Sequence, residues 1–229
     1  MEFDFSPDQR QLKDQARGVL ADHCGRDAVR AVLDGPQSFD AALWAGLGAQ
    51  GYLGAAIPEA YGGLGAGHLA LCVIAEELGR AVAPVPFSSS IGLAAELLLQ
   101  AGSEDQKQRW LPALASGQMI GCLALAERPG RVTAGSITTT AARGALSGSK
   151  VPVADGDIAD FAVVAAHDEG GDPAAISLYI VRLDAAGVRR ETLPSIDPTR
   201  SQARIDLTQA QAEPLGARGH RLGKPGGGV

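Results

Sequence analysis

Between residues 6 and 115 apolar side chains recur at steps of three and four, whereas from residue 120 onward they cluster in short β-prone runs parted by turn residues. The pattern predicts a helical half followed by a sheet half. Ser6, Pro7 and Gln9 spell an N-cap, a first-turn proline and a capping-box partner, and Leu12, Ala16, Val19 and Leu20 then form one stripe. A short helix over 28–33 ends at Asp34-Gly35-Pro36, and a third, over 40–49, buries Leu43, Trp44 and Leu47. Residues 51–65 hold too many glycines, plus Pro58, to be helix interior, and predict a buried bend. The bend feeds a helix on which Leu69, Cys72, Val73, Glu76 and Leu78 share the helical rhythm, with Gly79 placed for a left-handed cap. After Pro84 and Pro86 an apolar helix spans 88–101. Ser103-Glu104-Asp105-Gln106 then repeats the capping box before a helix carrying Trp110, Leu111 and Leu114.

The strand-like runs are 120–126, 137–142, 146–153, 161–166, 176–183, 188–193 and 203–207. Arg143-Gly144 sits where a hairpin turn belongs, and Gly170-Gly171-Asp172-Pro173 is a loop. These runs predict an antiparallel β-sandwich or barrel, and the whole chain reads as α+β. The glycine-rich tail 213–229 predicts no element and reads as a linker.

Composition narrows the function classes. With 45% hydrophobic and 20% charged residues the chain is that of a soluble globular protein, and its net charge of -6 argues against a nucleic-acid binder. Cys24, Cys72 and Cys122 lie in no metal or disulfide spacing, and no apolar window is long enough for a membrane span, so a cytoplasmic protein is expected. The amino terminus lacks the basic and apolar regions of a signal peptide.

Candidate chemistry is sparse. Gly62-Gly63-Leu64-Gly65 lacks the strand and helix of a dinucleotide loop, and Gly148-Ser149-Lys150, which mimics a P-loop end, reads as a surface turn. His23, His68, His167 and His220 read as solvated or structural. Of the adjacent acids, Glu76 is expected half-buried and Glu77 at the surface. No residue stands out as nucleophile or base.

Taken in order, several segments resemble the acyl-CoA dehydrogenase family. They are Phe5-Ser6-Pro7-Asp8-Gln9, Ile57-Pro58-Glu59-Ala60-Tyr61-Gly62-Gly63, Glu76-Glu77-Leu78-Gly79-Arg80, Gln106-Lys107-Gln108-Arg109-Trp110-Leu111-Pro112, Ala124-Leu125-Ala126-Glu127, and Gly148-Ser149-Lys150 with Ala159-Asp160. The resemblance implies a helical domain over 1–118, a β-domain over 119–212, and a linker over 213–229 toward a carboxy-terminal helical domain absent from this sequence. In the family that third domain supplies the catalytic carboxylate, so no catalytic residue is expected in this chain. The implied activity is FAD-dependent α,β-dehydrogenation of an acyl-CoA thioester in fatty acid metabolism. The implied partners are an electron-transfer flavoprotein or similar acceptor and further subunits of a homo- or hetero-oligomer, with no metal, nucleic acid or membrane.

The resemblance places the cofactor on a shallow face formed by Leu123, Leu125, Ala126, Pro152, Val153 and Ala154. There the chain departs from the family pattern. Ala126 stands at the usual threonine, Arg131-Val132-Thr133 in ungapped alignment at the usual Gly-Ser-Asp unless Gly135-Ser136 takes its place by a loop shift, Pro152 at the aromatic residue that covers the flavin, and Ala154 at a hydroxyl residue. The lost hydrogen bonds and stacking together remove roughly 2–4 kcal/mol of flavin affinity. Two alternatives therefore stay open beside the enzyme: a flavin-poor, non-catalytic partner subunit of a heteromer, and a truncated inactive form.

Overall fold

The computed structural model describes residues 5–221, so the readings of Met1–Asp4 and of the tail beyond residue 221 lie outside it. Its helices are α1 (Pro7–His23), α2 (Arg26–Leu33), α3 (Ala41–Ala49), α4 (Gly67–Arg80), α5 (Phe87–Ser89), α6 (Glu96–Ala101) and α7 (Glu104–Ala115). Both capping boxes form: Ser6 Oγ accepts from Gln9 N at 3.2 Å and Gln9 Oε1 from Ser6 N at 2.9 Å, and Ser103 and Gln106 repeat the pair at 3.2 and 3.0 Å. The helix expected over 88–101 is interrupted by a π-helical segment, Ser90–Ala95, whose buried Ser90 hydroxyl accepts Gly121 N at 3.1 Å.

The bend over 51–65 is buried as expected. Leu53, Ala55 and Ile57 are at most 1% exposed, and Leu64 N, Gly65 N and Ala66 N donate to Gly54, Ile57 and Ala55 carbonyls at 2.8–2.9 Å. Gly62, at φ 79°, closes the short 3-10 turn Glu59–Tyr61 in the left-handed region.

Helix α4 is rotated from its predicted face. Ala70, Val73, Ile74, Glu77 and Leu78 are buried, while Leu69 is 49% exposed. Expectation for the two acids is inverted: Glu77 is the buried one, and Glu76 lies outward, paired to Lys13 at 2.7 Å. The reason is α1, which packs on α4 and offers Arg17, whose Nη2 and Nε donate to Glu77 at 2.8 and 3.0 Å; Arg80 Nε adds a third bond at 2.9 Å. A carboxylate with three guanidinium bonds tolerates burial. The left-handed residue after α4 is also not Gly79, which stays helical, but Val82 at φ 52°.

Arg17 above all, with Arg80, holds the Glu77 carboxyl down at about 2 against the opposing effect of burial. Its folded pKa lies below the ordinary value, so the stability it contributes is present above about pH 4.5 and lost as pH falls toward 2. Denaturation midpoints measured from pH 6 to pH 3 should therefore fall, and Glu77→Gln should flatten that fall. A Glu77→Gln profile parallel to the wild type would refute the assignment.

The β-half comprises β1 (Gly121–Ala124), β2 (Thr140–Ala142), β3 (Ala145–Ala154), β4 (Phe161–Asp168), β5 (Ala175–Arg182), β6 (Val188–Leu193), β7 (Gln202–Gln211) and β8 (Glu213–Arg221). They run in the order β6-β7-β3-β2-β4-β5-β8, with β1 attached to β4. Most pairs are antiparallel, but the sheet is mixed because β4 changes partner midway. Phe161–Val164 pairs parallel with β1, and His167–Asp168 parallel with β2. Phe161–Ala166 are wholly buried, the pattern of a central strand covered on both faces. The expected hairpin turn joins β2 to β3 with Arg143 and Gly144 at φ 51° and 79°.

Two readings need correction. Gly148-Ser149-Lys150 is not a surface turn: it lies inside β3, and Lys150 is 0% exposed. Residues 213–221 are not linker but strand β8, antiparallel to β5 with Ile180 opposite Glu213 and Leu178 opposite Leu215. Its start is pinned to α7, where Gln106 Nε2 donates to Pro214 O at 2.9 Å and Arg109 grips Glu213. Helices and sheet share one core, and the Trp110 ring lies 4.6 Å from that of Phe161.

Candidate functional site

The predicted face is built at the end of β1, where the chain leaves its ladder with β4. Leu123, Leu125 and Ala126 are half-buried; on β3, Pro152 is exposed, Val153 is wholly buried and Ala154 half-buried. Val153 can thus offer only backbone to a ligand. The segment after β1 meets β3 where Val151 N donates to Ala126 O at 2.8 Å, at the point where the β3–β7 register shifts between Lys150 and Val153. Leu125 and Ala126 are in this way set directly against Val151–Pro152.

Next to this contact lies a buried charge cluster that sequence reasoning missed. Lys150 Nζ donates to Glu127 Oε1 at 2.7 Å and to Leu125 O at 3.3 Å. Glu127 accepts four further bonds, from Thr138 N and Oγ1 at 2.7 and 2.5 Å and from Thr139 N and Oγ1 at 2.9 and 2.7 Å. Burial acts to raise the Glu127 pKa, but Lys150 and the two threonines outweigh it and hold it down at about 2. Burial pushes Lys150 below the usual lysine range, opposed by Glu127. The signal available in the sequence was a lysine inside an apolar strand run, a position that demands a buried partner.

Chemically the cluster is a clamp and not an acid–base device. A carboxylate with a pKa near 2 and five hydrogen bonds is a poor proton acceptor at neutral pH. Asp155, just past Ala154, is also committed: its carboxylate takes the Ser89 hydroxyl and Arg200 Nη2, the latter at 3.1 Å. Burial, the largest influence on it, pushes the Asp155 carboxyl above its ordinary value, against the opposing pull of Ser89 and Arg200, so the two flanking carboxylates differ in kind.

Whether a flavin suits the face can be judged from its backbone. Among the described residues the amides of Leu125 and Ala126 have no hydrogen-bond partner, while both carbonyls are taken. Two adjacent N–H groups without a protein partner, on half-buried residues, suit a ligand edge rich in acceptors, which the flavin pyrimidine edge provides. The residues present fit the cofactor through main chain; the side-chain contributions at Ala126, Pro152 and Ala154 are absent. Of the remaining histidines, His167 bonds the carbonyls of Ala175 and Ala134, and His68 bonds Glu96. The side chain of His220 falls outside the described region. A cleft of about 500 Å³ beside Arg109, Trp110 and Arg182 includes none of the predicted face residues.

Comparison with known proteins follows this architecture. The family model described as acyl-CoA dehydrogenase, N-terminal domain, matches residues 6–118. The acyl-CoA dehydrogenase FadE12 of Mycobacterium tuberculosis is 34% identical over 154 residues, covering 63% of this chain and 39% of that protein. A chain of the Tcur3481-Tcur3483 steroid ACAD has TM-score 0.81 and 32% identity, covering 91% of this chain and 57% of its own. A chain of the ChsE4-ChsE5 complex from Mycobacterium tuberculosis has TM-score 0.81 and 26% identity, covering 96% and 58%. The sequence thus spans 39–58% of the length of these relatives.

Proposed function

Because the chain belongs to the acyl-CoA dehydrogenase family, we propose that it provides the flavin- and acyl-CoA-facing part of a FAD-dependent oxidoreductase that introduces a double bond between the α and β carbons of an acyl-CoA thioester. The observation that carries this reading is the Leu125–Ala126 edge, two unpartnered amides fixed against Val151. When bound, FAD supplies the hydride acceptor. The chain's own residues would hold the ring edge through Leu125 and Ala126 amides and leave proton abstraction to a carboxylate other than Glu127. Electrons would pass on to an electron-transfer flavoprotein or a similar acceptor. Three free cysteines accord with a cytoplasmic setting, and no helix among the described residues is long and apolar enough to cross a membrane.

Restoring a side-chain contact tests the location. Ala126→Thr adds one hydroxyl to the edge and should tighten FAD binding by about 2- to 12-fold, the equivalent of one net hydrogen bond. Fluorescence titration of FAD with both proteins reads this directly. Unchanged or weaker binding in the variant would place the flavin elsewhere.

A second reading is favoured by one specific observation: the absence of flavin-facing side chains at Ala126, Pro152 and Ala154, in a chain similar to one from a two-component complex. It makes this chain a supporting subunit in a heteromer. Co-expression with a homologous neighbouring gene distinguishes the two, since a stable complex holding half-stoichiometric FAD supports the subunit reading and independent full loading excludes it.

A further inference from the structure

We propose that Lys150 is a positioning residue for the flavin edge: from within β3 it sets the orientation of the Leu125–Glu127 segment and so of the two amides that meet the cofactor. This rests on the flavin reading above and deepens it. Three consecutive residues are anchored from one short stretch of β3. Lys150 Nζ holds Leu125 O at 3.3 Å and Glu127 Oε1 at 2.7 Å, and Val151 N holds Ala126 O at 2.8 Å. Each anchor engages an acceptor, so the segment's acceptors face β3 and the Leu125 and Ala126 amides are left over. Lys150 and Glu127 side chains are 0% and 7% exposed, which removes solvent competition and fixes a single arrangement.

A buried ion pair is weak evidence for stability, because an apolar pair of similar volume often serves as well. Its placement here is better explained by geometry than by energy. Thr138 and Thr139 extend the clamp: their four bonds to Glu127 tie the start of β2 to the same carboxylate, so that Lys150, Glu127 and the threonines form one rigid support beneath the edge. Thr139 is 0% exposed and packs against Gly148, where an added Cβ would lie 2.4 Å from Thr139 Oγ1. That close approach leaves the support little room to rearrange.

The test compares wild type, Lys150→Met and Thr139→Val as full chains. Each is checked for folding by circular dichroism, then titrated with FAD well below its melting temperature, and amide exchange is followed over residues 124–128. Lys150→Met should weaken FAD binding by about 10- to 100-fold, the weight of hydrogen bonds to a charged group, and should speed exchange over 124–128. Thr139→Val, which leaves Lys150 in place, should cost only about 2- to 5-fold. A purely structural role would lower the melting temperature while leaving the affinity of the folded protein unchanged. Equal FAD affinity in whichever variant folds overturns the positioning role alone. Failure of the wild type itself to bind FAD instead overturns the flavin reading, and the proposal with it.

Discussion

Gly63→Ala should leave the protein unable to reach its native state. A Cβ at this position would sit 2.0 Å from Ile57 O, 2.5 Å from Ile57 C and 2.6 Å from Ile57 Cβ. Two of those atoms are backbone and cannot move aside as a side-chain tip would. Ile57 O also accepts Gly65 N at 2.9 Å, so displacing it breaks the bend it closes. Ile57 and its neighbours Leu53 and Ala55 are core residues, which spreads the damage into the helical half. The expected cost is about 4–5 kcal/mol or more, comparable with the whole stability of many domains. Gly62→Ala is the control. Its φ of 79° imposes left-handed strain of about 1–2 kcal/mol, yet only Pro112 lies within reach, at 3.7 Å. Urea denaturation of both variants checks the contrast, and a folded Gly63→Ala protein as stable as Gly62→Ala would contradict it.

Phe161→Ala is expected to cost about 3–5 kcal/mol, the usual penalty for emptying a buried aromatic site. Phe161 is 0% exposed and opens the central strand β4, paired beside Gly121 of β1 and against Trp110 of α7. The tilted ring pair, 4.6 Å between centroids, contributes about 0.5–1.5 kcal/mol beyond area burial. Gly121 shows how tightly the site is filled, since an added Cβ there would meet Phe161 Cζ at 2.7 Å. Phe161→Leu should cost far less, roughly 1–2 kcal/mol, because most of the volume remains. Denaturant midpoints at unchanged m-value read both. A Phe161→Ala midpoint equal to that of Phe161→Leu would show that the two halves do not share this contact.

What could be read in the sequence was local. Ser6 with Gln9 and Ser103 with Gln106 mark helix starts because the capping bonds join residues three apart. The bend at 51–65 was legible for the same reason, its glycines being required by backbone geometry within the stretch. Arg143-Gly144 likewise carries its turn in its own dihedral angles. The choice between Glu76 and Glu77 was not local: it was made by Arg17, 60 residues away, on the helix that α4 packs against. Strand β8 was hidden because it is specified by backbone pairing with β5 and by the Gln106 and Arg109 contacts from α7, not by alternation of apolar side chains. The parallel pairing of β1 and β2 with β4 is a property of topology and leaves no short-range trace.

At the candidate site the same divide holds. The residues of the face were placed by resemblance, and their exposure then separated Val153, buried, from Pro152, open. The clamp beneath them was misread because a Gly-Ser-Lys run looks like a turn when the carboxylate that neutralises the lysine lies 23 residues earlier. Only the folded chain brings Glu127, Thr138, Thr139 and Lys150 to one point.

The central claim is that the Leu125–Ala126 edge receives a flavin. Its most direct measurement is the visible absorption of the purified chain after incubation with excess FAD and gel filtration. Protein that retains the flavin bands, with their shape altered when an acyl-CoA is added, is the expected result; folded protein that emerges colourless would contradict the account.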